Sequence, residues 1–276
     1  MSTSRPSPSS SAASVAEGAP VAVTAEVAAG IGRITLDRPP ANSYDPAFLE
    51  ELDTAIGEVA QSGATVAVVC SASERFFSAG ADVKGFLERS PDGNNAMVRR
   101  AHEVFNRFAA EPVVFIAKIA GHALGGGYEI ALACDIRIAA DGTYRIGLPE
   151  ATLGLLPGTG GTQRLPRLIG RGRALELMLT GQPVSPARAY ELGMVDRLVP
   201  AGELDTDVDE LATRLAAGAP LSLRAIKRAV HDGVDLPLAD GLRRELDALA
   251  PLFASADAHE GMTAFTQKRT PRYEGR

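Results

Sequence analysis

The sequence predicts an α/β protein: a body in which strands alternate with helices, followed by an all-helical C-terminal piece. Apolar runs of strand length recur between segments of helical spacing up to about residue 200, and the β-branched runs stop near Glu203. Beyond that point leucines and other large apolar residues return only at helical spacing. With 276 residues, 45% of them hydrophobic, the chain can bury a sizeable core, and its length suits one large domain with a smaller appendage. The expected divisions are a disordered segment over residues 1–19, the α/β body over 20–202 and the helical region over 203–276.

Each element has a local reason. Residues 1–19, with serines at 7, 9, 10, 11 and 14, are too small and polar to offset their chain entropy by burial. A single Arg5 there argues against a transit peptide. Residues 21–27 and 31–36 are short and β-branched, and Ala28-Ala29-Gly30 suits a tight turn, so they read as a hairpin. Asp45-Pro46 offers a helix N-cap with proline in the first position, and Phe48, Leu52, Ile56 and Val59 continue a helix to about Ala60. Residues 65–70 form a nearly continuous apolar run, as expected of a strand covered on both faces.

Met97, Ala101, Val104, Phe105 and Phe108 then mark a helix, residues 113–119 a strand, and the alternation continues through Ile130 to Ile138. Asp141-Gly142 between two strand-like runs predicts a second hairpin. Leu211, Leu215, Ile226, Val230, Leu242, Leu246, Leu249 and Phe253 trace the C-terminal helices.

Charge and composition remove whole classes of function. A net charge of −6 and a pI near 5.4 oppose binding to a phosphate backbone, which needs concentrated Lys and Arg. No apolar run approaches the roughly 20 residues that span a bilayer, and the N-terminus lacks the apolar block of a signal peptide. The expectation is a soluble, cytoplasmic protein without nucleic-acid or membrane partners. Cys70 and Cys134 lie in apolar runs and read as reduced core residues.

Three glycine-bearing stretches end predicted strands: 77–84, 121–129 and 147–163. Glycines there permit close approach of a ligand to the main chain, although an isolated glycine triplet is ordinarily turn chemistry. Two of the stretches carry a carboxylate just beyond their glycines. Glu129 precedes the apolar residues 130–134, and a buried glutamate needs a partner or a task. It reads either as a carboxylate satisfied near a helix N-terminus or as a working acid, and Glu150 after Pro149 either as a first-turn residue or as its companion. His122 reads as a hydrogen-bonding turn residue, while His102, His231 and His259 lack metal-type spacing to the cysteines, so no metal is expected. Residues 158–162 superficially resemble a phosphate loop but lack its Gly-Lys-Ser/Thr ending.

Residues 121–135 read Gly-His-Ala-Leu-Gly-Gly-Gly-Tyr-Glu-Ile-Ala-Leu-Ala-Cys-Asp, and residues 147–165 run from Gly-Leu-Pro-Glu to Pro-Gly-Thr-Gly-Gly-Thr-Gln-Arg-Leu. Together with Arg38 to Asn42, Phe77 to Lys84, Gly261 to Phe265 and Lys268-Arg269, they resemble the signature of the crotonase, or enoyl-CoA hydratase/isomerase, superfamily across nearly everything after residue 20. The resemblance implies a spiral of ββα units and a helical C-terminal trimerisation region, with trimers or hexamers formed by pairing trimers.

It also implies an oxyanion hole made by the main-chain N–H groups of Ala81 and Gly126, aimed at the enolate oxygen that forms when a conjugated thioester is attacked. Glu129 and Glu150 would flank the double bond, Glu129 chiefly holding water and Glu150 chiefly delivering a proton to C2. Ala79, Ala81, Asp82, Val83, Lys84 and Gly126 match the substrate and CoA loop, and Phe265 and Lys268 match positions that reach the CoA of a neighbouring subunit. Coenzyme A belongs to the substrate, so no separate cofactor is expected.

The activity implied is enoyl-CoA hydration, the syn addition of water to trans-2-enoyl-CoA in β-oxidation or related acyl-CoA degradation. Alternatives are a Δ3-Δ2-enoyl-CoA isomerase using Glu150 alone and an inactive CoA-binding paralogue, against which the two retained acids argue. Two departures bear on acyl-chain fit: the segment 141–145 is one residue longer than in many hydratases of the family, and Tyr128 is bulky where a smaller residue is common.

Overall fold

A computed structural model describes residues 21–276 of the protein, so the segment expected to be disordered over residues 1–19 lies outside the described residues. Strands β1 (Val23–Ala28) and β2 (Ile31–Leu36) form the antiparallel hairpin predicted. Ala29 and Gly30 both take positive φ, at 51° and 77°, as a two-residue turn matched to strand twist requires. Helix α1 (Pro46–Gln61) starts as read, with the Asp45 carboxylate accepting from the Phe48 amide at 3.0 Å. Its Phe48, Leu52, Ile56 and Val59 are buried. Strand β3 (Val66–Ser71) is covered on both faces.

The chain continues through β4 (Phe76–Ser78), α2 (Val83–Glu88), α3 (Pro91–Ala110), β5 (Val114–Ile119), β6 (His122–Leu124), α4 (Gly126–Ala133), β7 (Ile136–Ala140) and β8 (Ile146–Gly147). A 3-10 turn at Glu150–Leu153 leads to α5 (Gly161–Ile169), α6 (Arg171–Thr180), α7 (Pro186–Leu192) and β9 (Arg197–Val199). Helices α8 (Leu204–Ala216), α9 (Pro220–Gly233), α10 (Leu238–Leu249) and α11 (Ala256–Gln267) complete it.

The strands divide into a six-stranded sheet of order β1-β2-β3-β5-β7-β9 and a three-stranded sheet of order β4-β6-β8. Apart from the first hairpin, every pairing is parallel. Each of β3, β5 and β7 hands the chain to its counterpart β4, β6 or β8 before a helical stretch follows, which is the ββα repeat. Because β4, β6 and β8 run side by side in the same direction, the loops after them open at one edge of the small sheet, the usual location of a ligand site in parallel sheets. One core fills the space between the large sheet, α1, α3 and α4, while Leu204, Val208 and Leu211 of α8 cover Val66, Val68, Ile116 and Ile138 on the sheet's other face.

The second predicted hairpin does not form. Both edges of β7 are already taken, by β5 and by β9. The Asp141 amide donates to Val199 O at 2.7 Å, and Gly142 is absent from the positive-φ residues. Residues 141–145 instead carry the chain from the large sheet to the small one, where β8 pairs with β6. A local dipeptide signal is thus overridden by ladder hydrogen bonds from distant strands.

Helix α9 is pinned to the body by Lys227, whose buried ammonium pairs with Asp135 at 2.9 Å and donates to the carbonyls of Val113 (2.6 Å) and Phe108. Helices α10 and α11 pack with α9 and the intervening turn, leaving Leu238, Leu246, Phe253 and Phe265 mostly exposed. Among the described residues no helix is long and apolar enough to cross a membrane.

Candidate active site

The three loops leaving the small sheet bring the predicted residues together. The β4 loop supplies Ala81, the β6 loop leads into Gly126 at the start of α4, and the β8 loop leads to Glu150. A Cβ placed on Gly80 would stand 2.8 Å from the Gly126 amide nitrogen, so the first two loops are in contact. The amides of Ala81 and Gly126 have no acceptor among the described residues. In the bridge between Tyr44 and Ala81 the bonds are made by the neighbours instead, Tyr44 N donating to Gly80 O and Asp82 N to Tyr44 O, each at 2.9 Å.

Glycine is required where α4 begins. Gly125 has φ +55°, and a Cβ there would lie 2.9 Å from Glu150 Oε1, so the residue meets both a backbone and a space demand. The same contact places Glu150 against the start of α4. Glu150 is half-buried, and its Oε2 is a buried oxygen with no hydrogen-bond partner among the described residues. Burial, followed by the negative charge of Glu129, pushes its carboxyl up to about 7. It is an acid able to hold a proton near neutrality.

Glu129, by contrast, is 1% exposed and well supplied with donors. Its Oε1 accepts from the amides of Thr159 at 2.8 Å and Gly161 at 2.6 Å, and its Oε2 accepts from the Thr159 hydroxyl. These groups lie at or just before the N-terminus of α5, so the helix whose partial positive charge favours Glu129 is α5 and not its own α4. Burial still raises its pKa, against the opposing pull of those hydrogen bonds and of Arg164. All three donors address a carboxylate, so ionised Glu129 beside protonated Glu150 is the proton arrangement that the geometry favours.

The remaining predicted residues fall into two groups. Ala79 and Ala81 are half-buried at the site, with Ala79 N held by Ala41 O at 2.9 Å. Asp82 caps α2 by accepting from Lys84 N at 3.1 Å, and Val83 and Lys84 are exposed at the rim. Phe265, 85% exposed, lies near the end of α11, and Lys268 caps that helix with φ +54°. Within one chain α11 packs mainly on the turn before it, so neither residue is drawn to the carboxylate pair.

His122 makes the local hydrogen bond expected of it, but from the first position of strand β6 and not from a turn: its Nδ1 accepts from Arg145 N at 3.1 Å, and it stacks beside Phe76. Tyr128, the bulky residue before Glu129, is fully buried in the core, and its hydroxyl donates to Met194 O at 2.8 Å. Both cysteines are buried and unpaired.

Two residues at the site escaped sequence reasoning. Tyr44, 2% exposed, places its hydroxyl against Gly126 and 3.5 Å from Thr159 Oγ1. Thr159 was legible only as part of a glycine-rich run, and Tyr44 only as the neighbour of a helix cap. The available signal was a polar atom inside otherwise glycine-rich or apolar surroundings.

A family model described as enoyl-CoA hydratase/isomerase matches residues 26–276. A probable enoyl-CoA hydratase of Bacillus subtilis (strain 168) is 36% identical over 244 residues, spanning 88% of this chain and 94% of its own. An enoyl-CoA isomerase/hydratase of Mycosarcoma maydis is 37% identical, spanning 90% and 93% of the two chains. The crystal structure of an enoyl-CoA hydratase from Bacillus anthracis is similar with a TM-score of 0.89 at 38% identity, covering 92% of this chain and all of that one.

Proposed function

Because the chain belongs to the enoyl-CoA hydratase/isomerase family, we propose that it is an enoyl-CoA hydratase, adding water syn across the double bond of trans-2-enoyl-CoA to give 3-hydroxyacyl-CoA. The observation that carries this reading is the asymmetry of the two acids: Glu129 is held as an acceptor by three donors, while Glu150 keeps an unpartnered oxygen and a carboxyl near 7.

The thioester oxygen takes the amides of Ala81 and Gly126, two fixed donors that strengthen as enolate charge develops there. Glu129 removes a proton from water as the oxygen bonds to C3. The electron pair of the double bond moves onto the thioester as an enolate, and Glu150 then transfers its proton to C2. Both carboxyl groups return to their starting states by exchanging one proton with solvent or with each other. The reading asks for no cofactor beyond the coenzyme A carried by the substrate. Ala79, Asp82, Val83 and Lys84 would line the CoA path, and Phe265 and Lys268, uncovered in the single chain, would meet the CoA of a neighbour in a trimer or a pair of trimers. Such an enzyme would serve β-oxidation or a related acyl-CoA degradation in the cytoplasm.

Crotonyl-CoA should lose its conjugated-thioester absorbance on adding the protein, and failure to hydrate any 2-enoyl-CoA of any length would refute the assignment. A second reading, Δ3-Δ2-enoyl-CoA isomerisation, is favoured by the single free carboxyl oxygen of Glu150, which could move one proton between C2 and C4 while Glu129 stays locked. Product analysis with a 3-enoyl-CoA separates the two.

A further inference from the structure

The hydratase reading leaves one buried hydroxyl at the site without a task. Tyr44 is packed beside Phe48 and edge-on to Phe105, with ring centroids 5.8 Å apart. Its hydroxyl rests on Gly126, where an added Cβ would overlap it, and lies 3.5 Å from Thr159 Oγ1, the long end of hydrogen-bonding range. It has no other partner among the described residues. Thr159 is 3% exposed and gives both its amide and its hydroxyl proton to Glu129. A threonine hydroxyl has one proton to give. With that proton directed to Glu129, the contact between Tyr44 and Thr159 has one polarity: the phenol donates and the threonine accepts. Burial first, and then the charge of Glu129, holds the phenol well above its ordinary range, so it stays a donor.

We infer that Tyr44 is a positioning residue for the hydration reaction: its hydroxyl, acting through the Thr159 hydroxyl, fixes the Glu129 carboxylate as an acceptor, while its ring backs the start of α4 at Gly126. The inference rests on the hydratase reading for what Glu129 does. Without the phenol, Thr159 is free to turn its hydroxyl elsewhere, and Glu129 then keeps only its two amide donors. The charged groups that face Glu129 are Glu150, from the β8 loop, and Arg164, from α5. Neither contacts Tyr44 by hydrogen bond, so neither substitutes for it. One side chain thereby couples the water-holding acid to the amide that meets the thioester oxygen.

The test compares Tyr44→Phe, Thr159→Ala, Thr159→Ser and the double variant Tyr44→Phe/Thr159→Ala. Two measurements are made: steady-state kinetics with crotonyl-CoA, and a 13C-carboxyl NMR titration of Glu129, its resonance assigned by its loss in Glu129→Gln. A hydrogen bond to a charged group is worth enough that Thr159→Ala should lower kcat about tenfold with KM changed by less than about twofold. It should also raise the Glu129 midpoint, because a donor to the anion is gone. Thr159→Ser should restore both. Tyr44→Phe keeps the ring and its packing, and should lower kcat about threefold alone but add nothing in the Thr159→Ala background, since coupled residues are not additive. Full multiplication of the two effects, or an unchanged Glu129 midpoint in Thr159→Ala, would overturn the inference. Absence of hydration by the wild-type protein would strike the assigned reaction, and the Glu129 midpoint in Tyr44→Phe, raised if the phenol acts through Thr159 and unchanged if it does not, would still decide the coupling.

Discussion

At Glu150 burial and a neighbouring negative charge push in the same direction, and the consequence runs through both activity and stability. A group whose carboxyl sits at about 7 in the folded protein, against an ordinary 4.5, stays protonated while the unfolded chain already ionises. Folding stability therefore falls as pH rises from about 4.5 to about 7 and is level above. Replacing Glu150 by Gln removes that loss: above pH 7 the variant should be more stable by up to about 3 kcal/mol, with no difference near pH 4. Chemical denaturation at the two pH values measures it. The same variant should lose at least about a thousandfold in kcat with thioester binding retained, as expected for a proton donor on the reacting carbon. In the wild-type protein, kcat/KM should fall as pH rises through about 7, because the acid form is the one required. Glu129→Gln removes the neighbouring charge and should move the stability transition of Glu150 to lower pH.

At the scale of elements, the start of α4 and the seat of α9 each depend on one close contact. Gly126→Ala would drive a methyl group into the Tyr44 hydroxyl, so the first turn of α4 must shift and carry its amide away from the thioester oxygen. The expected outcome is a loss of about 100-fold or more in kcat, the usual effect of removing one oxyanion donor, with circular dichroism unchanged. Helix α9 hangs on Lys227, whose ammonium ties Asp135 to two carbonyls of the body while His231 takes the other carboxylate oxygen at 2.8 Å. Lys227→Met leaves a largely buried carboxylate half-paired and two carbonyls unserved, and should destabilise the protein by about 3 kcal/mol. Thermal unfolding reads this directly.

For the whole molecule, the single chain leaves a groove of about 840 Å³ between α9 and the body. Glu129 and Glu150 do not line it, so this hollow is set by how the C-terminal helices stand off the sheets and not by the chemistry. Leu238, Leu246, Phe253 and Phe265 stand exposed along the C-terminal segment, and large apolar side chains exposed in one region mark an interaction surface. If the trimer or pair of trimers proposed above covers them, the native mass by light scattering should be three or six times the 28.8 kDa of one chain. A charge such as Leu246→Glu in that surface should shift the population toward smaller species.

How much of this the sequence determined by itself follows the range of the forces involved. The Asp45-Pro46 cap, the Ala29-Gly30 turn and the apolar run of β3 are short-range matters of backbone geometry and burial, and they were legible residue by residue. So were the two glutamates and the glycines before them, since a carboxylate set among apolar neighbours stands out wherever it is met. The fate of Asp141-Gly142 was decided by strands far along the chain, because β7 could take only two partners and the distant β9 took one of them. Which helix dipole serves Glu129, that Tyr128 turns into the core, and that Tyr44 reaches Thr159 across 115 positions were likewise settled by tertiary structure. Direction and distance between side chains remote in sequence exist only once the sheets have assembled, and those are the quantities that make one buried acid an anion and the other a proton donor.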